Sequence, residues 1–149
     1  MRRRVQSNAE PSPVAAWVGL RTVSMADGEA VLELPTRHEM TNSQGSVHGG
    51  LIALLADATM GRAVASTLAD RSRQASFDLK VSFIGVARVG AVLRAQAHLL
   101  HRGRRTGVAE CRIEDEQRRL IATATATFAY RDAATRAVTA PSRTPGASS

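Results

Sequence analysis

The segment from Gly49 to about Leu68 constrains the fold more than any other part of the sequence. Apolar residues recur along it at helical spacing, and they cover most sides of the predicted helix rather than one stripe. One face carries Leu51, Leu54, Leu55 and Ala58, and the other sides carry Ile52, Ala56, Met60 and Val64. A helix of this kind must be enclosed by other elements. We therefore expect it to lie at the centre of the domain.

Period-two runs rich in β-forming residues lie on both sides of this helix. Two runs precede it and flank Asp27–Gly28, a pair that favours the tight turn of a hairpin, and four follow it. The predicted strands are 21–25, 29–34, 75–84, 91–100, 106–114 and 120–130. No βαβ alternation supports a parallel sheet. The sequence therefore predicts an α+β fold, with an antiparallel β-sheet wrapped around one long central α-helix.

The ends of the chain differ in composition from the segment between them. A chain of 149 residues is the usual size of one domain. Residues 1–13 and 132–149 are rich in Ala, Ser, Pro, Thr and Arg without apolar periodicity, which predicts disordered tails. The folded domain is then 14–131. A short helix over 14–20 is expected to pack Trp17 and Leu20 against it.

The net charge of +7 is concentrated in the predicted tails. Six arginines, counting Arg131 at the boundary of the domain, and two acids lie in or next to these tails, which accounts for +4 of the +7. The domain itself is mildly basic and has no evident aromatic platform for bases, so nucleic acid is a disfavoured partner. The arginines of the domain suit the phosphate-bearing end of a small anionic ligand better.

Cysteine content and hydropathy indicate the compartment. Cys111 is the single cysteine, and no Cys/His cluster has metal-ligand spacing, so neither a disulfide nor a metal site is expected. The most apolar stretch, about 47–60, is too short to cross a bilayer and contains Asp57. Polar residues follow the basic Met1–Arg4 where a signal peptide needs an apolar stretch. We expect a cytoplasmic protein with no membrane association.

Two features of the predicted helix carry chemistry. Gly49 and Gly50 stand at its start, where first-turn N–H groups lack helical partners and ligand oxygens can approach the backbone. Together with the helix dipole, such an end suits the oxyanion that forms when a thioester carbonyl is attacked. Asp57 is the single ionisable residue between Gly49 and Gly61. A carboxylate among apolar side chains is costly unless it has a function or a polar partner.

These two features cannot serve one carbonyl from a single helix. At a rise of 1.5 Å per residue, Gly49 and Asp57 are about 12 Å apart along the axis. If two such helices run antiparallel across a twofold axis, the start of one meets Asp57 of the other, giving two equivalent sites per dimer. We therefore expect a homodimer with shared sites, or a homotetramer made of two such dimers.

The sequence resembles the phenylacetyl-CoA thioesterase-like (PaaI-like) branch of the hotdog superfamily over nearly all of residues 14–130. The resemblance rests on Asn42, the Gly45-Ser46-Val47-His48-Gly49-Gly50 run, Asp57 and Gly61, and also on Ser76-Phe77-Asp78-Leu79, Phe83-Ile84, Gly90 and Arg102-Gly103-Arg104. It implies a hotdog fold and hydrolysis of an acyl-CoA to the free acid and coenzyme A. If small apolar residues such as Ala53 and Ala56 line a pocket between the two helices of a dimer, an aromatic or a short- or medium-chain acyl group fits there. Coenzyme A is then part of the substrate, and no other cofactor is expected.

The resemblance also implies roles for individual residues. Asn42 and the Gly49 N–H polarise the thioester carbonyl. Asp57 of the partner subunit acts as general base or nucleophile, and Ser76 positions the water. Some branches carry Thr or Ser one turn after the acid, but this sequence has Gly61 there, so any hydroxyl must come from Ser76.

The remaining candidates have structural interpretations as well. His48 could be a base, although a histidine before a helix more often orients its loop. Asn42 could simply stabilise the turn with Gly45. Gly50, Arg88, Arg102 and Arg104 are candidate contacts to coenzyme A, and Arg105 and Lys80 are further basic residues that could reach its phosphates. Cys111 alternates within a strand and is expected to be a packing residue.

Other functions fit parts of the pattern. A hotdog protein that binds acyl-CoA without turnover would keep the glycine end and would not need Asp57. A hotdog hydratase or dehydratase would need a His and acid pair acting on the acyl chain. An acyl carrier protein thioester is an alternative substrate, and a nucleic-acid-binding module would show salt-dependent affinity for DNA.

Overall fold

The computed structural model describes residues 11–69 and 74–131. Within them lie helices α1 and α2, strands β1 to β6 and one short 3₁₀ turn. The elements are α1 (Pro13–Val18), β1 (Arg21–Ala26), β2 (Glu29–Pro35), the 3₁₀ turn (His38–Met40), α2 (Gly49–Ala65), β3 (Gln74–Phe83), β4 (Val92–Arg102), β5 (Thr106–Glu114) and β6 (Leu120–Tyr130). The predicted α+β class and the place of its long helix are confirmed.

The six strands form one antiparallel sheet with the order β1-β2-β4-β5-β6-β3. The β1–β2 hairpin turns at Asp27 and Gly28, whose φ angles are 51° and 83°. Both values are positive, as a turn that matches the twist of the two strands requires. The predicted Asp-Gly turn is confirmed, and β1 and β3 are the edges of the sheet.

Helix α2 lies against the sheet and buries a continuous apolar face. Leu55, Ala56, Met60, Ala63 and Val64 have no exposed surface. Burial of each large side chain contributes about 1.5–3 kcal/mol relative to an exposed one. Of the four residues predicted to share one face, Leu55 is fully buried, and Leu51, Leu54 and Ala58 are half-buried. Because the helix is apolar on most sides, its sequence does not reveal which side meets the sheet.

Helix α1 packs only one of its faces. The Ser12 hydroxyl accepts a hydrogen bond from the Ala15 N–H, so Ser12 caps the helix. Ala15 and Val18, three residues apart, are the buried pair. Trp17 consequently points away from the body and is 75% exposed, which corrects the expectation that it packs on the domain. Leu20, as expected, packs against the core.

Strand β3 is an exposed edge with one irregularity. Its pairing with β6 shifts register between Ser76 and Asp78, so Phe77 is the extra residue of a β-bulge. The Asp78 carboxylate accepts a hydrogen bond of 3.1 Å from the Thr127 N–H at this bulge. Five large apolar residues of this edge and the segment after it are exposed, namely Phe77, Leu79, Phe83, Ile84 and Val86.

The predicted tails lie outside the described residues, apart from positions 11–13 at the start of α1. No helix in 11–69 or 74–131 is both long and apolar enough to span a membrane.

Candidate active site

The loop before α2 is organised by Asn42. Its Oδ1 accepts hydrogen bonds from the Gln44 N–H (2.9 Å) and the Ser46 N–H (3.2 Å), and its Nδ2 donates to Ser46 Oγ (3.0 Å). This is the turn-stabilising role that a side chain of this type commonly plays. Ser46 is the one described partner of Nδ2, so a second N–H of that amide remains for a ligand acceptor.

His48 is the N-cap of α2. Its Nδ1 accepts a hydrogen bond of 2.9 Å from the Gly50 N–H. The imidazole therefore orients the start of the helix, as the structural interpretation of His48 predicts. The Gly50 amide is used within the chain by this bond, so it is not a spare donor for coenzyme A.

The Gly49 N–H differs from that of Gly50 because no described residue accepts a hydrogen bond from it. It is the first helical residue, so its amide also has no partner within the helix. The N–H therefore remains for an oxygen held at the positive end of the helix dipole.

Asp57 lies two turns further along α2 at a cleft of about 650 Å³. Its Oδ1 is buried, and no described atom donates a hydrogen bond to it. An unpaired buried carboxylate oxygen is costly, and such an atom in a native protein calls for an explanation such as an absent ligand or a catalytic role.

Ser76 lines the same cleft as Asp57, so the structure brings together the two residues that the resemblance assigns to one side of the site. Asn42, His48 and Gly49 are not among its lining residues and stand instead at the start of α2. A single chain thus holds two candidate half-sites, one at the start of α2 and one near its middle. The part with hydrogen-bond donors is separate from the part with the acid.

The cleft has a mixed lining, with Ser12, Thr22, Arg62, Gln74 and Ser76 as its polar residues besides Asp57. Its walls include Val14, Leu20, Leu32, Leu54, Ala58 and Phe128. Helix α1 contributes to them, which the sequence did not indicate. Ala53 and Ala56 are absent from the lining, and Ala56 is completely buried in the core. The small residues of α2 in this lining are Ala58 and Gly61.

The candidate arginines lie in different places. Arg88 pairs through its backbone with Ser46, next to the Asn42 loop. Arg102 donates to Thr67 Oγ1 at the other end of α2 and lies over the Tyr130 ring at 5.8 Å. Arg104 is exposed in the turn that follows. Of these three arginines, Arg88 is therefore the one placed beside the Asn42 loop.

Gln74 is a residue of the cleft that the sequence did not single out. Its Nε2 donates a hydrogen bond of 2.6 Å to the Gly61 carbonyl, and its Oε1 is buried without a described partner. A glutamine at the start of a strand carries no signal of this role in sequence. No group of three or more His, Cys, Asp or Glu suited to a metal ion occurs in 11–69 and 74–131.

Comparison with known proteins identifies the class. The sheet wrapped around α2 is shared with the solved structure of the PaaI protein of Escherichia coli, at a TM-score of 0.73 and 28% identity, covering 78% of this chain and 83% of that one. A conserved Pseudomonas aeruginosa protein superposes with a TM-score of 0.74 at 34% identity, covering 80% of this chain and 94% of that one. The fold is therefore the hotdog fold.

Sequence comparison then gives the family. The model of the Thioesterase superfamily matches residues 44–122, and the chain belongs to that family. It is 31% identical to the acyl-coenzyme A thioesterase PaaI of Escherichia coli over 114 residues, or 76% of this chain and 79% of that protein. It is 37% identical over 89 residues to a Caenorhabditis elegans protein described as an esterase, a match that spans 60% of this chain and 52% of its relative. The predicted PaaI-like thioesterase class is confirmed.

Proposed function

We propose that the protein hydrolyses an acyl-CoA thioester to the free acid and coenzyme A, with Asp57 as the general base. The observation that carries this proposal is Asp57, which lines the cleft and whose buried Oδ1 has no described hydrogen-bond partner. A carboxylate in such a place can take a proton from water. The alternative role of Asp57 is direct attack to form an anhydride, which would place oxygen from labelled water into its carboxylate during a single turnover if water then attacks the aspartyl carbonyl carbon.

The proposed reaction uses both half-sites. The carbonyl oxygen accepts from the Gly49 N–H and the second Asn42 N–H, which stabilise the negative charge that develops on it. Asp57 takes a proton from water as the water oxygen bonds to the carbonyl carbon. The C–S bond then breaks, and the proton passes from Asp57 to the departing sulfur. Ser76, which lines the cleft with Asp57, helps to hold the water.

The proposed site needs two copies of the chain. Gly49 and Asp57 of one α2 are about 12 Å apart along the axis, so one thioester cannot contact both in the same chain. The exposed apolar residues of the β3 edge give a second copy a surface to cover, and the edge strand itself has unpaired backbone groups. We propose a homodimer with antiparallel α2 helices, able to pair further into a homotetramer.

The proposed substrate follows from the cleft and from a relative. A volume of about 650 Å³, with walls that include Val14, Leu20, Leu54 and Phe128, suits an aromatic or a short- or medium-chain acyl group. The structure of the Escherichia coli PaaI protein is described as coming from the phenylacetic acid degradation operon, which supports an aromatic acid here. Arg88, beside the donor end, is the favoured contact for a phosphate of coenzyme A. The free, buried thiol of Cys111 fits a reducing cytoplasm.

Steady-state hydrolysis of a panel of aromatic and aliphatic acyl-CoAs tests the proposal. Asp57→Asn and Asp57→Ala should lower kcat by about 10²–10⁴-fold and retain substrate binding, since removal of a general base has effects of this size. Asp27→Asn is a matched control, because an Asn-Gly pair suits the same hairpin turn. Full activity of both Asp57 variants would exclude the mechanism, and tight binding by the wild type without turnover would favour an acyl-CoA-binding protein.

A further inference from the structure

Two side-chain oxygens, each on a residue that lines the cleft, are buried without a described hydrogen-bond donor. Asp57 Oδ1 and Gln74 Oε1 are both buried, and neither accepts a hydrogen bond from a described atom. Both residues line the same cleft of about 650 Å³. Buried acceptors are normally paired with protein or ordered water, so two of them at one cleft call for a donor that the described residues do not supply.

The orientation of the Gln74 amide is fixed by its other atom. Nε2 donates a hydrogen bond of 2.6 Å to the Gly61 carbonyl. Exchange of the amide nitrogen and oxygen would place two acceptors against each other at that distance, so the hydrogen-bond network assigns the orientation. Oε1 therefore points away from the Gly61 carbonyl.

Gly61 provides the space for this arrangement. It lies one helical turn after Asp57, and a Cβ at that position would be 3.7 Å from Gln74 Nε2 and 3.5 Å from Phe128 Cε1. A larger side chain, such as a threonine, would compete with the amide for the same volume. The amide of Gln74 thus stands over the turn of α2 that follows the acid.

We propose that Gln74 Oε1 and Asp57 Oδ1 together bind the nucleophilic water, which makes Gln74 a further residue of the catalytic machinery. This inference rests on the proposed function. Water has two hydrogens, and one donates to each acceptor. Asp57 takes its proton as the oxygen attacks the carbonyl carbon, and the hydrogen bonded to Gln74 stays on the oxygen that enters the acid product. Gln74 itself is not consumed, and its contact fixes the direction of the oxygen lone pair.

The test is the Gln74→Met variant, which keeps the length of the side chain and removes both hydrogen bonds. We expect kcat for hydrolysis to fall about tenfold to a hundredfold, with KM changed by less than about twofold, because a misplaced nucleophile affects the chemical step rather than binding. Ser66→Ala is the matched control: it removes the hydrogen bond of 2.7 Å between the Gly28 N–H and Ser66 Oγ, near the end of α2 and outside the cleft.

A second reaction separates water binding from a structural role. Hydroxylamine attacks thioesters without a base to deprotonate it, so Gln74→Met should retain enzymatic formation of the hydroxamate while it loses hydrolysis. Two results would overturn the inference: hydrolysis within about twofold of wild type, or a parallel loss of both reactions together with a lower melting temperature. Asp57→Asn is measured alongside. Full hydrolysis by Asp57→Asn would refute the proposed function, whereas an inactive Asp57→Asn with a fully active Gln74→Met would refute this inference alone.

Discussion

The phenyl ring of Phe83 lies against the backbone of Gly49, with Cε1 and Cζ 3.2 Å from the position that a Cβ there would occupy. Phe83 ends β3, and Gln74 at the start of the same strand contacts Gly61. Strand β3 therefore runs antiparallel to α2 and connects the donor half-site to the acid half-site. A substitution at Gly49 can therefore act in two ways: it can remove the N–H, or it can disturb the contact with the Phe83 ring.

Gly49→Pro should lower kcat by about 10²–10³-fold, since it removes one donor to the oxyanion. Proline is favoured at the first position of a helix, and the extended backbone of His48 suits a following proline, so α2 should remain folded. Steady-state kinetics together with circular dichroism measure the two effects.

Gly49→Ala is the control for this prediction. It keeps the N–H and adds the Cβ that meets Phe83, an exposed side chain able to shift. We expect it to retain most activity. Equal losses in the two variants would show that the ring contact, rather than the N–H, determines the rate.

Mixing two inactive variants should restore activity if the sites are shared between subunits. In a mixed dimer of Gly49→Pro and Asp57→Ala chains, one site receives an intact Gly49 from one chain and an intact Asp57 from the other. Random pairing of equal amounts should give about a quarter of wild-type activity. The two chains are refolded together, and hydrolysis is measured against each variant refolded alone. No recovery in a preparation shown to contain mixed dimers would place each site within one chain.

The turn between β5 and β6 should make the stability of the folded protein depend on pH in the acidic range. Asp115 is 4% exposed. Its burial alone would raise the pKa, but hydrogen bonds from the Arg119 side chain and backbone outweigh it and hold the pKa of Asp115 below its ordinary value. A depressed carboxylate pKa stabilises the folded state above the unfolded value of about 3.9, and this stabilisation is lost as the pH falls through the folded value.

Asp115→Asn should therefore lower the melting temperature at pH 7, and its difference from wild type should shrink as the pH falls below about 4. Thermal unfolding across this range measures both. Glu39→Gln is the control, because the Glu39 side chain is 74% exposed and should contribute little at any pH. A difference for Asp115→Asn that stayed constant down to pH 2 would contradict the assignment.

Much of the fold was predictable because local signals and tertiary packing agree. The Asp27–Gly28 turn needs two positive φ angles, and few other pairs adopt them easily. The strands β5 and β6 have the predicted bounds. The burial of Trp17 was mispredicted, since hydropathy favours a buried tryptophan, whereas a helix of six residues has only one face to bury.

The site was predictable where it depends on single residues and not where it depends on strand placement. Asp57 stands out because a carboxylate is rare in an apolar helix, and Ser76, which the family resemblance assigns to the same side of the site, lines the same cleft. The role of Gln74 depends on which strand neighbours α2 and on the space left by Gly61. The contribution of α1 to the cleft likewise depends on tertiary packing that no local pattern encodes.

The bulge at Phe77 has a consequence for how this chain can vary. Ser76 and Gln74 precede the extra residue and belong to the cleft, whereas the pairing of β3 with β6 continues in a shifted register after it. Deletion of a single residue between 74 and 78 would either shift the pairing of β3 with β6 or turn the side chains of the cleft to the other face of the strand. This follows because side chains alternate between the two faces along a strand. Length changes in homologues of this chain should therefore accumulate in the turns and avoid this short stretch.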